Sequence, residues 1–435
     1  MRVVIGALAV GAFGFAMTAS SADRQLPHLE LLPAGGSALT STVSMHPSEQ
    51  RALTLPLAAT PSTSVSVGAE LFKRNWFDES DADVIGSVAL GPSFDASSCV
   101  ACHVEVATQP RKPAQSGVPV GVVARTVTAQ GRQLYGDQVN TLSIDGTLGE
   151  ARVDIEWQQE IIRYSDGTKK QLRRPIATAV DRQSGQQEPV ALRSPPLLFG
   201  WGLMIAADPA YLDHFDGHVD VAAGKTTARS RFTADGHTRQ LLGWKNAHAT
   251  LESQVATAFA EDMGIASDIA CAHAPCQSEL TAEQLGAVVA FVRWLPVPEQ
   301  RPGDVDAYQR GEQLFGTLGC NSCHVPILVT KPSTEGAFSN QTIWPYTDLM
   351  LHDMGSGLAD PGEDPLRAEW RTAPLWSIGL VERFRPEHGF LHDGRARDIE
   401  EAILWHGGEA TRSQRAFRAL AKDSRADLLA YLRAL

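Results

Sequence analysis

The chain has 435 residues, 43% of them hydrophobic and 20% charged, which excludes bulk disorder and suggests two or three domains. A formal net charge of −12 argues against nucleic acid as a partner and leaves a basic redox protein or a small molecule. Of the six cysteines, four fall into one short motif used twice.

Met1-Arg2, an apolar run from Val3 to Met17 and the small residues up to Ala22 describe a secretory signal peptide over 1–22. That run is shorter than the ~20 residues of a membrane span, and no later stretch is apolar enough. An exported, periplasmic chain that is not an integral membrane protein is therefore expected. Residues 23–66, rich in Pro, Ser, Thr and Ala, read as a flexible arm or linker. A first domain over 67–300 opens with Gly68-Ala69-Glu70-Leu71-Phe72, a predicted helix, and then carries Cys99-Val100-Ala101-Cys102-His103.

Two cysteines two residues apart with a histidine directly after them is the c-type haem attachment signature. The thiols add across the two vinyl groups of one porphyrin, and the adjacent histidine lies where a ring nitrogen can bind iron. A zinc half-site or redox pair competes for one copy of such a motif. The second copy, Cys320-Asn321-Ser322-Cys323-His324, favours haem at both places. Cys99, Cys102, Cys320 and Cys323 are the expected attachment points, and His103 and His324 the proximal ligands.

Between the first signature and Arg193 lies extra material, about 118–190. Arg152 to Trp157 and Glu160 to Tyr164 alternate in the β manner and Asp166-Gly167 supplies a turn, so a small antiparallel β insertion is predicted there. Nothing in it reads as catalytic. Arg193-Ser194-Pro195-Pro196-Leu197-Leu198 follows, and Trp201 reads as core or as an electron relay between haems. His214, His218, His237 and His248 precede Gln254 and read as structural. Gln254 and Asp262, with Glu261 as its neighbour, are candidates for an open distal pocket in which a carboxylate moves a proton. Met263 is the alternative, as a sixth iron ligand. Cys271 and Cys276 are expected to close a small disulfide loop around His273, as suits an oxidising compartment.

Leu285 to Leu295 reads as a helix with a capping box at Thr281 and Gln284, stopped by Pro296 and Pro298. The boundary between domains is placed near 296–305. The second domain, 305–435, repeats the order of the first. Gly311-Glu312-Gln313-Leu314-Phe315 matches Gly68 to Phe72, Arg371-Thr372-Ala373-Pro374 matches Arg193 to Pro196, Ile399 to Ile403 matches Leu251 to Val255, and Asp427 to Leu435 matches the helix at Leu285. Four pairs indicate a duplication. Arg193 and Arg371 are candidate partners for haem propionates, since a guanidinium pairs a carboxylate through two parallel bonds. Met350, His352 and Met354 are candidates for the sixth position at the second haem. Met354 is preferred because Gly355 lets the backbone approach the ring, and a thioether there raises the reduction potential. His388, His392 and His406 read as hydrogen-bonded structural residues. The fold expected from these signals is mainly α, with two cytochrome c-like haem domains and the β insertion in the first.

These residues carry a resemblance. The two signatures, Arg193–Leu203, Gly243-Trp244-Lys245, Gln254, Asp262-Met263-Gly264, Leu351–Gly355, Arg371–Leu380, Phe390–Arg395 and Glu400–Ala410 are similar to the di-haem oxidoreductase family of peroxidase-like and thiol-oxidoreductase-like proteins. That family is related to the bacterial di-haem cytochrome c peroxidases, and the resemblance runs from about residue 65 onward. It implies electrons entering at a His324/Met354 haem and a small oxidant such as hydrogen peroxide reacting at the His103 haem, beside Gln254 and Asp262. It also implies that Arg371–Pro374 and His392-Asp393-Gly394 frame the second haem. The chain departs from the peroxidases in having Asp at 262 rather than Glu, a shorter spacing from Gln254 to that acid, and the β insertion. Two covalently bound haem c groups are the expected cofactors, with calcium a further candidate. The expected partners are a small redox protein or cytochrome and a small-molecule oxidant. A non-enzymatic electron-transfer protein with both irons six-coordinate is the alternative.

Overall fold

The structure is a computed structural model that describes residues 40–41, 62–77, 90–103, 121–146, 149–217, 228–271, 277–384 and 389–435. The expected signal peptide, His218, His273, Cys276 and His388 lie outside the described residues.

The repeated sequence pattern is visible as repeated packing. Helix α1 (Thr63–Lys73) carries Gly68, and α2 is the single turn Cys99–Cys102. Helix α3 (Leu251–Met263) is capped by Thr250, and α4 (Ala282–Arg293) has the predicted box, with Thr281 and Gln284 each bonding the other's backbone N–H. In the second half α5 (Val305–Thr317) carries Gly311. Then α6 (Ile399–Trp405), α7 (Thr411–Ala419) and α8 (Lys422–Ala434) close the chain. Helix α1 packs on α4, and α5 on α8. A Cβ on Gly68 would stand 1.9 Å from the carbonyl oxygen of Ala287, and one on Gly311 would stand 2.3 Å from that of Asp427. Only glycine lets the two backbones meet so closely. Phe72 then lies 5.1 Å from Phe291, and Phe315 lies 5.5 Å from Tyr431, ring centre to ring centre.

The chain is not mainly α-helical, which corrects the fold expected from sequence. Helix accounts for 35% and strand for 20%, in several sheets. The largest has five antiparallel strands: β1 (Val123–Thr126), β2 (Gln138–Val139), β3 (Ala151–Arg163), β4 (Lys169–Asp181) and β5 (Gln187–Arg193). Their order is β2-β1-β5-β4-β3. The hairpin stands where Asp166-Gly167 placed it, with Gly167 at φ 84°. Its arms run 13 residues each, paired from Ala151↔Asp181 to Arg163↔Lys169. The remaining sheets have strands of two or three residues, including β6 (Leu351–Asp353) with β7 (Glu369–Arg371). Such short strands are held by tertiary pairing and leave no periodic signal.

The far end of the hairpin lies on the C-terminal helices. Tyr164 donates to Glu400 at 2.7 Å, Lys170 bridges Asp398 and Glu400, and Arg425 pairs with Asp166 while covering the Tyr164 ring at 4.0 Å. Tyr164 and Leu172 belong to the same apolar core as Phe315, Trp405 and Tyr431. No helix among the described residues is long and apolar enough to cross a membrane.

Candidate haem sites

The second signature opens into a cavity of about 260 Å³ whose wall includes Cys320, Cys323, His324, Met354, Arg371 and His406. Gly319, at φ 78°, turns the chain out of α5 into the short 3-10 turn Cys320–Ser322. His324 N–H then bonds the carbonyl of Cys320 at 3.0 Å. The His324 ring places Nδ1 3.0 Å from the carbonyl of Tyr346. Burial, then the neighbouring His406, pull its pKa down to about 4. A neutral imidazole bonded to a carbonyl through Nδ1 must carry its proton there, which leaves Nε2 as the lone-pair atom for a metal. The Cys320 thiol is pushed up to about 12 by burial. The pairing of β6 with β7 brings Met354 and Arg371 to the same wall. Arg371 is 2% exposed. Its Nε donates to Gly243 O at 3.0 Å, Nη1 donates to Thr372 O at 3.1 Å, and its guanidinium lies 4.9 Å above Trp201. Burial pulls its pKa down to about 10. Among the described residues no carboxylate forms an ion pair with it, so a buried cation faces the cavity without an acid. Two thiols, an imidazole with its lone pair free, a thioether and an unmatched guanidinium fit a c-type haem with its propionates.

The first signature forms α2, with His103 N–H on the carbonyl of Cys99 at 2.9 Å and the Phe72 ring 6.1 Å from that of His103. Residues 104–120, which follow it, lie outside the described residues. Burial, and then the charge of Asp262, push the Cys99 thiol up to about 12, so Asp262 stands close to this signature. Asp262 Oδ1 accepts from Gln138 Nε2 at 2.8 Å, and the same nitrogen donates to Asp95 Oδ2 at 2.9 Å. Burial raises the Asp262 carboxyl to about 7 against the Gln138 hydrogen bond, with like charge from Asp95 and Glu261 adding to it and Arg125 opposing. Arg125 pairs with Glu261. Gln138 and Arg125 come from β2 and β1, so the inserted sheet supports the acid beside the first signature. Gln254 is not brought to Asp262. Eight residues separate them on α3, about 12 Å along the axis. The amide oxygen of Gln254 lies toward Gly243, whose carbonyl accepts from Arg371. Met263 is 2% exposed in the core that packs against Cys99 and Val100.

With that geometry in view, the model of the family described as "Di-haem oxidoreductase, putative peroxidase" matches residues 224–435. The match covers just under half of the chain. No curated protein matches the chain. A solved structure of hydrazine synthase from Kuenenia stuttgartiensis, pressurized with 20 bar xenon, is 16% identical over 100% of both chains with a TM-score of 0.38, a likeness that carries no argument.

Around these residues stand further groups, of which sequence did not single out Asp360 and Trp370. Arg193 gives its fork to a protein carboxylate, with Nη1 and Nη2 on Asp360 at 2.8 and 2.6 Å. Lys245 stands 3.5 Å from the same acid and 3.7 Å from the Trp370 ring centre, which stacks on His392 at 3.5 Å and 8°. Burial pulls Lys245 down to about 8. His392 is held neutral by burial and by the cations Arg193, Arg395 and Lys245 around it. Burial opposes charge on His352, yet hydrogen bonds from its ring to Asp348, Cys323 and Glu409 hold its pKa well above the usual value. Both His352 nitrogens are engaged by carboxylates, at 2.8 and 2.9 Å, which removes it as an iron ligand. His406 has Nδ1 on the carbonyl of Ala402 at 2.7 Å, and its ring centre is 6.4 Å from that of His324. Met350 is buried away from the cavity wall, its sulfur accepting from Ser230 Oγ at 3.3 Å. Trp201 belongs to the first core, lines the second cavity and donates through Nε1 to Leu197 O at 2.8 Å. His214 is exposed, and His248 bonds Ser253 through Nδ1. Cys271 is disulfide-bonded.

Proposed function

We propose that this chain is an exported di-haem c-type oxidoreductase of the peroxidase-like class. Cys320, Cys323, His324 and Met354 would hold a haem that supplies the point of electron entry. Cys99, Cys102 and His103 would hold the other haem, which would supply the centre for reducing a small oxidant such as hydrogen peroxide. The observation that carries the reading is the wall of the second cavity: a neutral His324 with Nδ1 tied to Tyr346, the Met354 thioether, and a buried Arg371 without an acid. When bound, two haems supply two one-electron stores, together the pair that converts a peroxide and two protons to two waters. Arg371 would neutralise a propionate, and Trp201 stands between the first core and the second cavity, where an electron relay belongs. The disulfide at Cys271 supports an oxidising compartment. A small redox protein would be the donor.

At the first site Asp262 is the proton carrier. Its carboxyl, raised to about 7 by burial first, keeps a proton to near neutrality, unlike an exposed aspartate. Because only the protonated form can give up a proton, peroxide turnover is expected to decline as pH rises through about 7. Asp262→Asn is expected to cost about 100-fold at pH 6 and to flatten that decline. A wild-type pH profile retained in the variant would remove Asp262 from the role.

A competing reading is an electron-transfer protein with both irons six-coordinate, in which Met263, buried in the core that Cys99 packs against, would be the sixth ligand at the first site. Electron paramagnetic resonance separates the two. A high-spin ferric signal, at once or after half-reduction, is the result expected of the peroxidase-like reading. Low-spin signals alone in both states would leave the electron-transfer reading.

A further inference from the structure

Helix α7 forms one wall of the second cavity, and its charge is opposite to that of the chain as a whole. Ser413, Gln414 and Phe417 line the cavity from its inner side. On the outer side Arg412 and Arg415, three residues and so nearly one turn apart, are exposed. Among the described residues neither has an ion-pair partner. From Ala410 to Lys422 the sequence holds four cations, Arg412, Arg415, Arg418 and Lys422, and no acid, in a chain of net charge −12. Arg418 donates through Nε and Nη2 to the carbonyl of Arg163, at 3.2 and 2.8 Å. That contact places the exposed Arg163 of β3 beside the helix, with the exposed Lys169 paired to it across the hairpin. Acids near this face are mostly matched within the protein: Asp166 pairs with Arg425, and Glu409 with His352. Asp423, at the start of α8, is exposed.

We propose that the outer face of α7, extended by Arg163 and Lys169, is the docking surface for an acidic one-electron redox protein that reduces the second haem. This rests on the reading that electrons enter there. Charge complementarity selects the partner. An acidic protein is repelled by the net negative charge of the chain and drawn to this basic face, which steers it to the cavity wall. An α-helix with its side chains is about 10 Å across, so a partner seated on α7 stands about one helix diameter from the cavity. In the step itself the reduced partner loses one electron and the second haem gains it, with no bond made or broken.

The test uses the haem-loaded protein and one cytochrome c in two forms: native and basic, and with its lysines succinylated so that it is acidic. Second-order rates of reduction of the second haem are followed by stopped flow at about 0.01 M and about 0.15 M ionic strength, with each rate corrected for the measured potential of the probe. The acidic form is expected to react about 10-fold faster than the native form at low salt, and to lose most of that advantage at high salt. In Arg412→Glu/Arg415→Glu its rate is expected to fall about 10-fold at low salt. A faster native probe, or an acidic-probe rate that is unchanged in the charge-reversed variant, overturns the proposal. So does a variant whose only loss is binding to vesicles of anionic phospholipid. A small neutral hydroquinone serves as control. If it does not reduce the second haem before the first in the wild type, the reading of electron flow fails. If it does so equally in wild type and variant while the cytochromes do not discriminate, the docking surface alone fails.

Discussion

Met354→Ala is expected to lower the midpoint potential of one haem by more than about 100 mV while both haems stay covalently attached. A thioether opposite His favours ferrous iron, and alanine leaves water or a stronger donor in that place. His324 keeps its own orientation in the variant, because Tyr346 fixes it through Nδ1, independently of Met354. Spectroelectrochemical titration of wild type and variant reads the shift directly. Unchanged potentials would remove Met354 from the ligand set and turn attention to His406, the imidazole on the wall whose ring stands 6.4 Å from that of His324. Met354→Ala/His406→Ala then separates the two. If His406 takes over in the single variant, the double variant becomes high-spin.

Gly311→Ala is expected to destabilise the protein by about 3 kcal/mol, at the upper end of overpacking costs. The added methyl would stand 2.3 Å from the carbonyl oxygen of Asp427 and 2.6 Å from Cβ of Tyr431, so α5 and α8 must separate. A rigid backbone atom cannot yield as the end of a flexible side chain does. Gly316, in the same helix, is the control. A Cβ there meets only Asn321 Nδ2 at 3.9 Å, and Gly316→Ala should stabilise by up to about 1 kcal/mol through helix propensity. Urea denaturation of the two variants compares them. Equal midpoints would mean that the α5–α8 contact yields without cost.

The Gly-x-x-Leu-Phe pairs were legible because close helix packing demands glycine at one place, and the demand is written locally. The same holds for the turn at Asp166-Gly167. The five-stranded sheet was only partly legible. Val123 pairs with Arg193 across 70 residues, and nothing local to either announces the other. The stack of Lys245, Trp370 and His392 draws on three separate segments, so its cation and rings looked like ordinary core and surface in sequence. His352 was misleading for a similar reason. Asp348 stands one helical spacing before it, but the second carboxylate, Glu409, arrives 57 residues later, and only the pair of them takes both ring nitrogens. The role of Gln138 was hidden in an insertion that carried no chemistry of its own until it met Asp262.

The reach of the hairpin bears on the order in which the molecule assembles. Tyr164 meets Glu400 across 236 residues of chain, and Arg425 meets Asp166 across 259. Contacts so distant in sequence carry the largest loop-closure entropy and form late. The helices they hold, α6 and α8, are walls of the second cavity. Until the last residues have folded back onto the hairpin, the cavity beside Cys320 and Cys323 lacks these walls. Closing the hairpin onto α6 and α8 is then the step that completes the walls around Cys320 and Cys323.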